Sequence, residues 1–105
     1  MINIQPTGGA CGAVVRGIDL SEDLTDDIMS DLTQALYNHR CLIIKNQKIT
    51  KDAYYQFAKQ WGDLIRHVLD YLRMPGYPEM MAIGNTEEKD KDDAVGNGAA
   101  VWHTD

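Results

Sequence analysis

The chain has 105 residues, 44% of them hydrophobic, and a net charge of -6. That size and composition describe one globular domain at most, and the negative balance excludes a nucleic-acid or anionic-membrane surface, which needs clustered Lys and Arg. No stretch approaches the roughly 20 apolar residues of a bilayer span, and Met1-Ile2-Asn3-Ile4 lacks the basic and apolar regions of a secretory signal. The expected location is cytoplasmic.

In chain order, Ile4, Val14 and Val15 flank the turn-prone Thr7-Gly8-Gly9-Ala10, a pattern that predicts two short strands with a glycine-rich connection. Gly8, Gly9 and Gly12 have no following Lys and no following helix, so they read as turn residues rather than a phosphate loop. Cys11 and Cys41 are too far apart for a Cys-x-x-Cys motif. One disulfide is allowed, but buried free thiols are the expectation for a chain without a secretory signal.

Gly17-Ile18-Asp19-Leu20-Ser21 reads as a turn leading into a helix, whose apolar stripe is Leu24, Ile28, Leu32, Ala35 and Leu36. Thr25 is the predicted N-cap, followed by Asp26 and Asp27 at the positive end of the helix dipole. His39 near the other end is explained by the same dipole, in preference to a ligand role. Cys41-Leu42-Ile43-Ile44 is a short, continuous apolar run, expected to be a buried strand. Thr50 caps a second predicted helix with a buried stripe of Tyr54, Phe57, Ala58 and Trp61, stopped by Gly62.

From Asp63 to Tyr77 the periodicity weakens, and Pro75 and Pro78 forbid a long regular element. Met80-Met81-Ala82-Ile83 reads as one more strand. Glu87 to Asp93 is a charged, solvated loop, and the small residues Gly96 to Ala100 lead to Trp102-His103-Thr104-Asp105. On an extended segment, His103 and Asp105 point to one face. An imidazole and a carboxylate placed so are two of the three ligands in the 2-His-1-carboxylate triad of non-haem iron oxygenases. The tripeptide alone is a weak signal, and a solvated His-Thr-Asp turn is its ordinary reading.

The order of the pieces is more specific than any one of them. Gly17-Ile18-Asp19-Leu20, Leu42-Ile43-Ile44-Lys45-Asn46-Gln47, Phe57-Ala58-Lys59-Gln60-Trp61-Gly62 and Trp102-His103-Thr104-Asp105 follow one another. In that order they resemble the N-terminal part of the taurine dioxygenase / TfdA family of Fe(II)- and 2-oxoglutarate-dependent dioxygenases, over essentially the whole chain. The resemblance implies that His103 and Asp105 are metal ligands, and that Trp102 is the aromatic residue commonly preceding them. It places His67 where taurine-type members have a substrate-contacting His; a loop histidine that binds nothing is the competing reading. Ala99 stands where an Asn is expected four residues before the metal His, and Asn97 is the substitute candidate for substrate contact. Asp70 stands where a Tyr is expected after His67, with Tyr71 one place off. These departures weaken taurine itself as the substrate more than they weaken the family tie.

The implied fold is α+β to mainly β: the beginning of a double-stranded β-helix, or jelly roll, with flanking helices. Residues 1–105 would be the N-terminal part of a single domain that continues beyond Asp105. The implied cofactor is Fe(II), with 2-oxoglutarate as cosubstrate, O2 as oxidant and a small, anionic sulfonate-like or aryloxyalkanoate-like molecule as substrate. The third metal ligand and an Arg for 2-oxoglutarate are expected beyond Asp105, so the 105-residue piece alone should be inactive. A homo-oligomer of the full-length protein is compatible with this reading; nucleic acid and membrane are not expected partners. Two alternatives carry no chemistry: a small acidic α+β interaction domain, which accounts for length and charge but not for the motif order, and an inactive remnant that keeps the family and drops the activity.

Overall fold

The computed structural model describes residues 2–83 and Trp102. The chain divides into two compact units, Met1–Asp63 and Leu64–Asp105. Each is built by its own local chemistry.

The first unit begins with β1 (Asn3–Pro6) and β2 (Ala13–Arg16), which pair antiparallel with Asn3 opposite Arg16 and Pro6 opposite Ala13. Their connection is closed by the Thr7 N–H, which donates to the Gly12 carbonyl at 3.1 Å, and by the Thr7 hydroxyl, which donates to the Cys11 carbonyl at 3.0 Å. Gly8 (φ +86°) and Gly12 (φ +101°) take left-handed conformations that a Cβ would penalise. The predicted glycine turn is therefore present, and it serves the hairpin.

Helix α1 (Asp26–His39) crosses from β2 to β3 (Leu42–Ile44), which lies parallel to β2 with Ala13 opposite Leu42, so the sheet order is β1-β2-β3. The Thr25 side-chain oxygen accepts from the Ile28 N–H at 3.3 Å, as an N-cap should. At the other end Arg40 is left-handed (φ +68°) and its N–H donates to the Leu36 carbonyl at 2.7 Å. The Gly12 N–H donates to the His39 carbonyl at 2.8 Å, which satisfies one more carbonyl left over at the helix end. His39 is in the last turn, as the dipole argument predicts.

The core of this unit is Val15, Leu20, Leu24 and Leu32, with Ile4, Ile28, Leu42, Ile44 and Phe57 among the residues packed against it. Alternation decides which strand residues enter it. Ala13 and Val15 of β2 are buried, while Ile43 of β3 is 41% exposed. The expectation of a buried β3 is thus corrected: among the described residues β3 is the last strand of its sheet, and its Ile43 face is open. The expectation of buried thiols also fails: Cys11, in the β1–β2 connection, and Cys41, just before β3, are free and exposed.

Helix α2 (Lys51–Gln60) is capped by Thr50, whose side chain accepts from the Ala53 N–H at 3.1 Å. Its predicted stripe is only partly buried. Phe57 packs on the core and Ala58 is half-buried, but Tyr54 is 55% exposed and Trp61 38% exposed. Phe57 and Trp61 meet edge to face at 6.0 Å, so Trp61 covers the rim of the core rather than filling it.

In the second unit a short 3-10 turn, Asp70–Leu72, leads into the two-residue β4 (Arg73–Met74), which pairs antiparallel with β5 (Tyr77–Met81). Pro75 and Gly76 (φ +81°) occupy the central positions of the intervening turn, the residues and sign of φ that a type II turn demands. The strand expected at residues 80–83 therefore starts earlier, at Tyr77, and includes Pro78. Proline is tolerated because the β4–β5 register is irregular here, with no ladder hydrogen bond demanded of its nitrogen. Among the described residues no helix is long and apolar enough to cross a membrane.

Candidate functional site

Of the candidate ligand and substrate-contact residues, His67 is among the described residues, and its loop is held from three directions. The His67 N–H donates to the Pro78 carbonyl at 2.9 Å. Its carbonyl accepts from Arg73 Nε at 2.7 Å. Its imidazole Nδ1 accepts from the Leu69 N–H at 3.1 Å. With Nδ1 engaged as an acceptor, Nε2 is the ring atom left to act as a donor. The side chain is half-buried. The local backbone thus holds the imidazole through its Nδ1.

Arg73 does a second job in this loop, pairing its guanidinium with Asp70 at 2.6 Å. Asp70 is thus the anchor of the arginine that grips the His67 carbonyl. The carboxylate is largely exposed, so the ion pair itself contributes little to stability. Its effect is to orient the guanidinium. Tyr71 is 76% exposed. The two residues that depart from the expected pattern therefore differ in kind: Asp70 has a structural role, and Tyr71 faces solvent.

In the first unit, the segment Ile18–Leu24 is clamped by two glutamines that apolar periodicity could not flag. Gln47 Oε1 accepts from the Leu20 N–H at 2.8 Å, and its Nε2 donates to the Ile18 carbonyl at 3.1 Å and the Lys45 carbonyl at 3.0 Å. Gln60 Oε1 accepts from the Leu24 N–H at 3.3 Å, and its Nε2 donates to the Leu24 carbonyl at 2.8 Å. A primary amide has both a donor and an acceptor, so one side chain satisfies both backbone groups of an irregular segment. The only sequence signal was that both glutamines lie inside the ordered motifs ending at Gln47 and at Trp61-Gly62.

Within that segment Asp19 makes a local turn. Its Oδ1 accepts from the Ser21 hydroxyl at 2.6 Å and from the Ser21 N–H at 2.9 Å. Those two bonds, the hydroxyl first, hold the Asp19 carboxyl below its ordinary pKa. The motif Gly17-Ile18-Asp19-Leu20 is thereby a folding device: Gly17 (φ +90°) turns the chain, Asp19 closes the turn and Leu20 enters the core.

His103, Asp105 and Asn97 lie outside the described residues, and Trp102 is fully exposed. Among the described residues, no group of three or more His, Cys, Asp or Glu side chains could hold a metal ion.

The strand and helix arrangement has close counterparts among solved structures. A Burkholderia xenovorans protein described as an alpha-ketoglutarate-dependent taurine dioxygenase superposes with a TM-score of 0.74 at 25% identity, over 84% of this chain and 32% of that one. The architecture is thus a small α+β portion of the type found in taurine-type dioxygenases. The model of the family "Taurine catabolism dioxygenase TauD, TfdA family" matches residues 3–105, and the chain belongs to that family. Pentalenolactone F synthase of Streptomyces avermitilis is 33% identical over 101 residues, which cover 93% of this chain and 33% of that protein. An alpha-ketoglutarate-dependent sulfate ester dioxygenase of Pseudomonas putida is 30% identical over 105 residues, covering 99% and 32%. The chain spans about a third of the length of these relatives.

Proposed function

We propose that the full-length protein is an Fe(II)- and 2-oxoglutarate-dependent dioxygenase that hydroxylates a small, anionic organic substrate. The observation that carries this reading is the family match over residues 3–105, a span that includes the terminal Trp102-His103-Thr104-Asp105. Residues 1–105 are then the N-terminal part of one jelly-roll domain that continues beyond Asp105.

The donor set fits the metal: a neutral imidazole from His103 and a carboxylate from Asp105 suit Fe(II), with a second His contributed from beyond Asp105. When bound, the iron and 2-oxoglutarate supply the oxidation of a C–H bond, with succinate and carbon dioxide released. The chain's own part is positioning. His67, with Nε2 left to act as its donor, is suited to a sulfonate, sulfate or carboxylate, and Asn97 offers an amide to the same substrate. Arg73 and Asp70 fix the His67 backbone, so that the donor is presented without extra ordering on binding.

The test is turnover of the full-length protein. It should release succinate from 2-oxoglutarate in the presence of Fe(II), and His103→Ala or Asp105→Ala should abolish both iron binding and turnover. His67→Ala should raise KM for an anionic substrate and leave iron affinity unchanged. A loss confined to iron affinity would move His67 out of the substrate site. Full-length protein that binds neither iron nor 2-oxoglutarate would return the reading to a remnant or interaction domain.

A further inference from the structure

We propose that in the full-length protein a β-strand from the chain beyond Asp105 pairs with the outer edge of β3 and continues the sheet. This rests on the proposal that the domain extends past Asp105. In the order β1-β2-β3 the outer strands are β1 and β3, and their edges are built differently.

The β1 edge is closed by its own sequence. The Thr7 N–H donates to the Gly12 carbonyl, one step beyond the pair of Pro6 with Ala13. Opposed residues in an antiparallel ladder alternate between bonded and non-bonded pairs. Asn3 and Gln5 therefore turn their backbone groups toward β2, while Ile4 and Pro6 turn theirs outward. Pro6 sits where a missing N–H removes a donor from the edge, and a proline so placed is a common guard against further pairing.

The β3 edge has no such guard. The Ala13 N–H donates to the Cys41 carbonyl at 3.0 Å, and Ala13 and Val15 lie opposite Leu42 and Ile44. In a parallel ladder of that phase, Ile43 bonds to β2 through both its N–H and its carbonyl. The N–H and carbonyl groups of Leu42 and Ile44 then point away from β2. Among the described residues no further strand stands against them. From Leu42 to Ile44 there is no proline, no charge and no register shift. Leu-Ile-Ile is apolar on both faces, the composition of an interior strand of a parallel sheet. Leu42 and Ile44 already pack on the core, while Ile43 is 41% exposed beside half-buried Val14. A neighbouring strand would satisfy the outward groups and set a side chain against Ile43.

The occupant is the same chain. The aligned span is 33% of the Streptomyces relative and 32% of the Pseudomonas relative, which leaves about two thirds of a protein of that size to supply a strand. A tethered strand also meets the edge at an effective concentration of roughly millimolar, which a second copy does not reach.

The experiment reads hydrogen exchange and NOE contacts at single amides in the deuterated full-length protein. The Leu42 and Ile44 amides should be protected at least about 100-fold more than that of Ile4, the outward N–H of the closed edge. They should also show contacts to backbone amides of residues beyond Asp105. In a mixture of labelled and unlabelled protein, no such contact should run between molecules. Protection no greater than that of Ile4 would overturn the proposal. So would contacts from these amides to residues within 1–105, contacts to a helix in place of a strand, or contacts between molecules, which would make a second copy the occupant. Neither readout involves iron or 2-oxoglutarate. Protected amides in a protein that binds neither would keep this inference and remove the proposed activity; unprotected amides in an active enzyme would do the reverse.

Discussion

At the scale of single residues, the polar side chains with the clearest work are amides. Gln60 meets both backbone groups of Leu24, a residue that is itself in the core. Removing the amide leaves a part-buried N–H and carbonyl without their partner, a loss on the order of 1–3 kcal/mol. Gln60→Ala should therefore lower the unfolding free energy by about that amount, read from the denaturant midpoint, while Gln56→Ala on the exposed side of the same helix should stay within about 0.5 kcal/mol. A second prediction concerns Asp19. Hydrogen bonds from Ser21 lower its folded pKa below the ordinary 3.8. The sign follows from linkage: a depressed folded pKa contributes stability that is present above the unfolded value and lost as pH falls through the lower, folded value. Ser21→Ala removes the hydroxyl donor, so the Asp19 carboxyl should titrate at higher pH in a carbon-detected NMR titration. An unchanged midpoint would assign the shift to another cause.

At the scale of elements, the two helices illustrate how one sequence pattern has two outcomes. Both have a Thr N-cap, acidic residues in the first turn and an apolar stripe. Helix α1 buries Leu32 and Ala35 because it crosses between two strands of one sheet, which covers its stripe along the length. Helix α2 touches the core through Phe57 and leaves Tyr54 exposed. Leu32→Ala should accordingly cost about 2–5 kcal/mol, since a fully buried leucine leaves both lost transfer energy and a cavity. Tyr54→Ala should cost about 0.5 kcal/mol or less. Chemical unfolding of the two variants side by side checks the contrast; equal costs would mean that α2 is seated more deeply than its exposure says.

At the scale of the whole molecule, the proposed chemistry needs more than these 105 residues hold. In the proposed site His103 and Asp105 would supply two donors, and two donors bear the entropy of ordering without the rigidity of a closed three-ligand site or the surrounding hydrogen bonds that orient the imidazole. The 2-oxoglutarate carboxylate would also lack an Arg, the group best matched to bidentate binding. The expected outcome is that the isolated 1–105 chain binds iron weakly and releases no succinate above a metal-only blank, while the full-length protein binds iron firmly and releases succinate. Succinate from the isolated chain would relocate the active site.

By itself the sequence determined what depends on neighbours along the chain. Thr25 and Thr50 cap their helices, Gly8 and Gly12 turn the first hairpin, and the apolar period of α1 selects Leu32. The same is true of the family, because the order of motifs from Gly17 to Asp105 is a property of the chain and is matched over residues 3–105. Tertiary structure alone decided what depends on which surfaces meet. Ile43 is exposed because, among the described residues, its face of the sheet is left uncovered, a fact no local window contains. Gln47 and Gln60 are clamps because the chain folds Ile18–Leu24 back against them, 27 to 36 residues away. Local propensity is read over a few residues, whereas burial and long-range hydrogen bonding are set by pairings whose partners the chain order does not name.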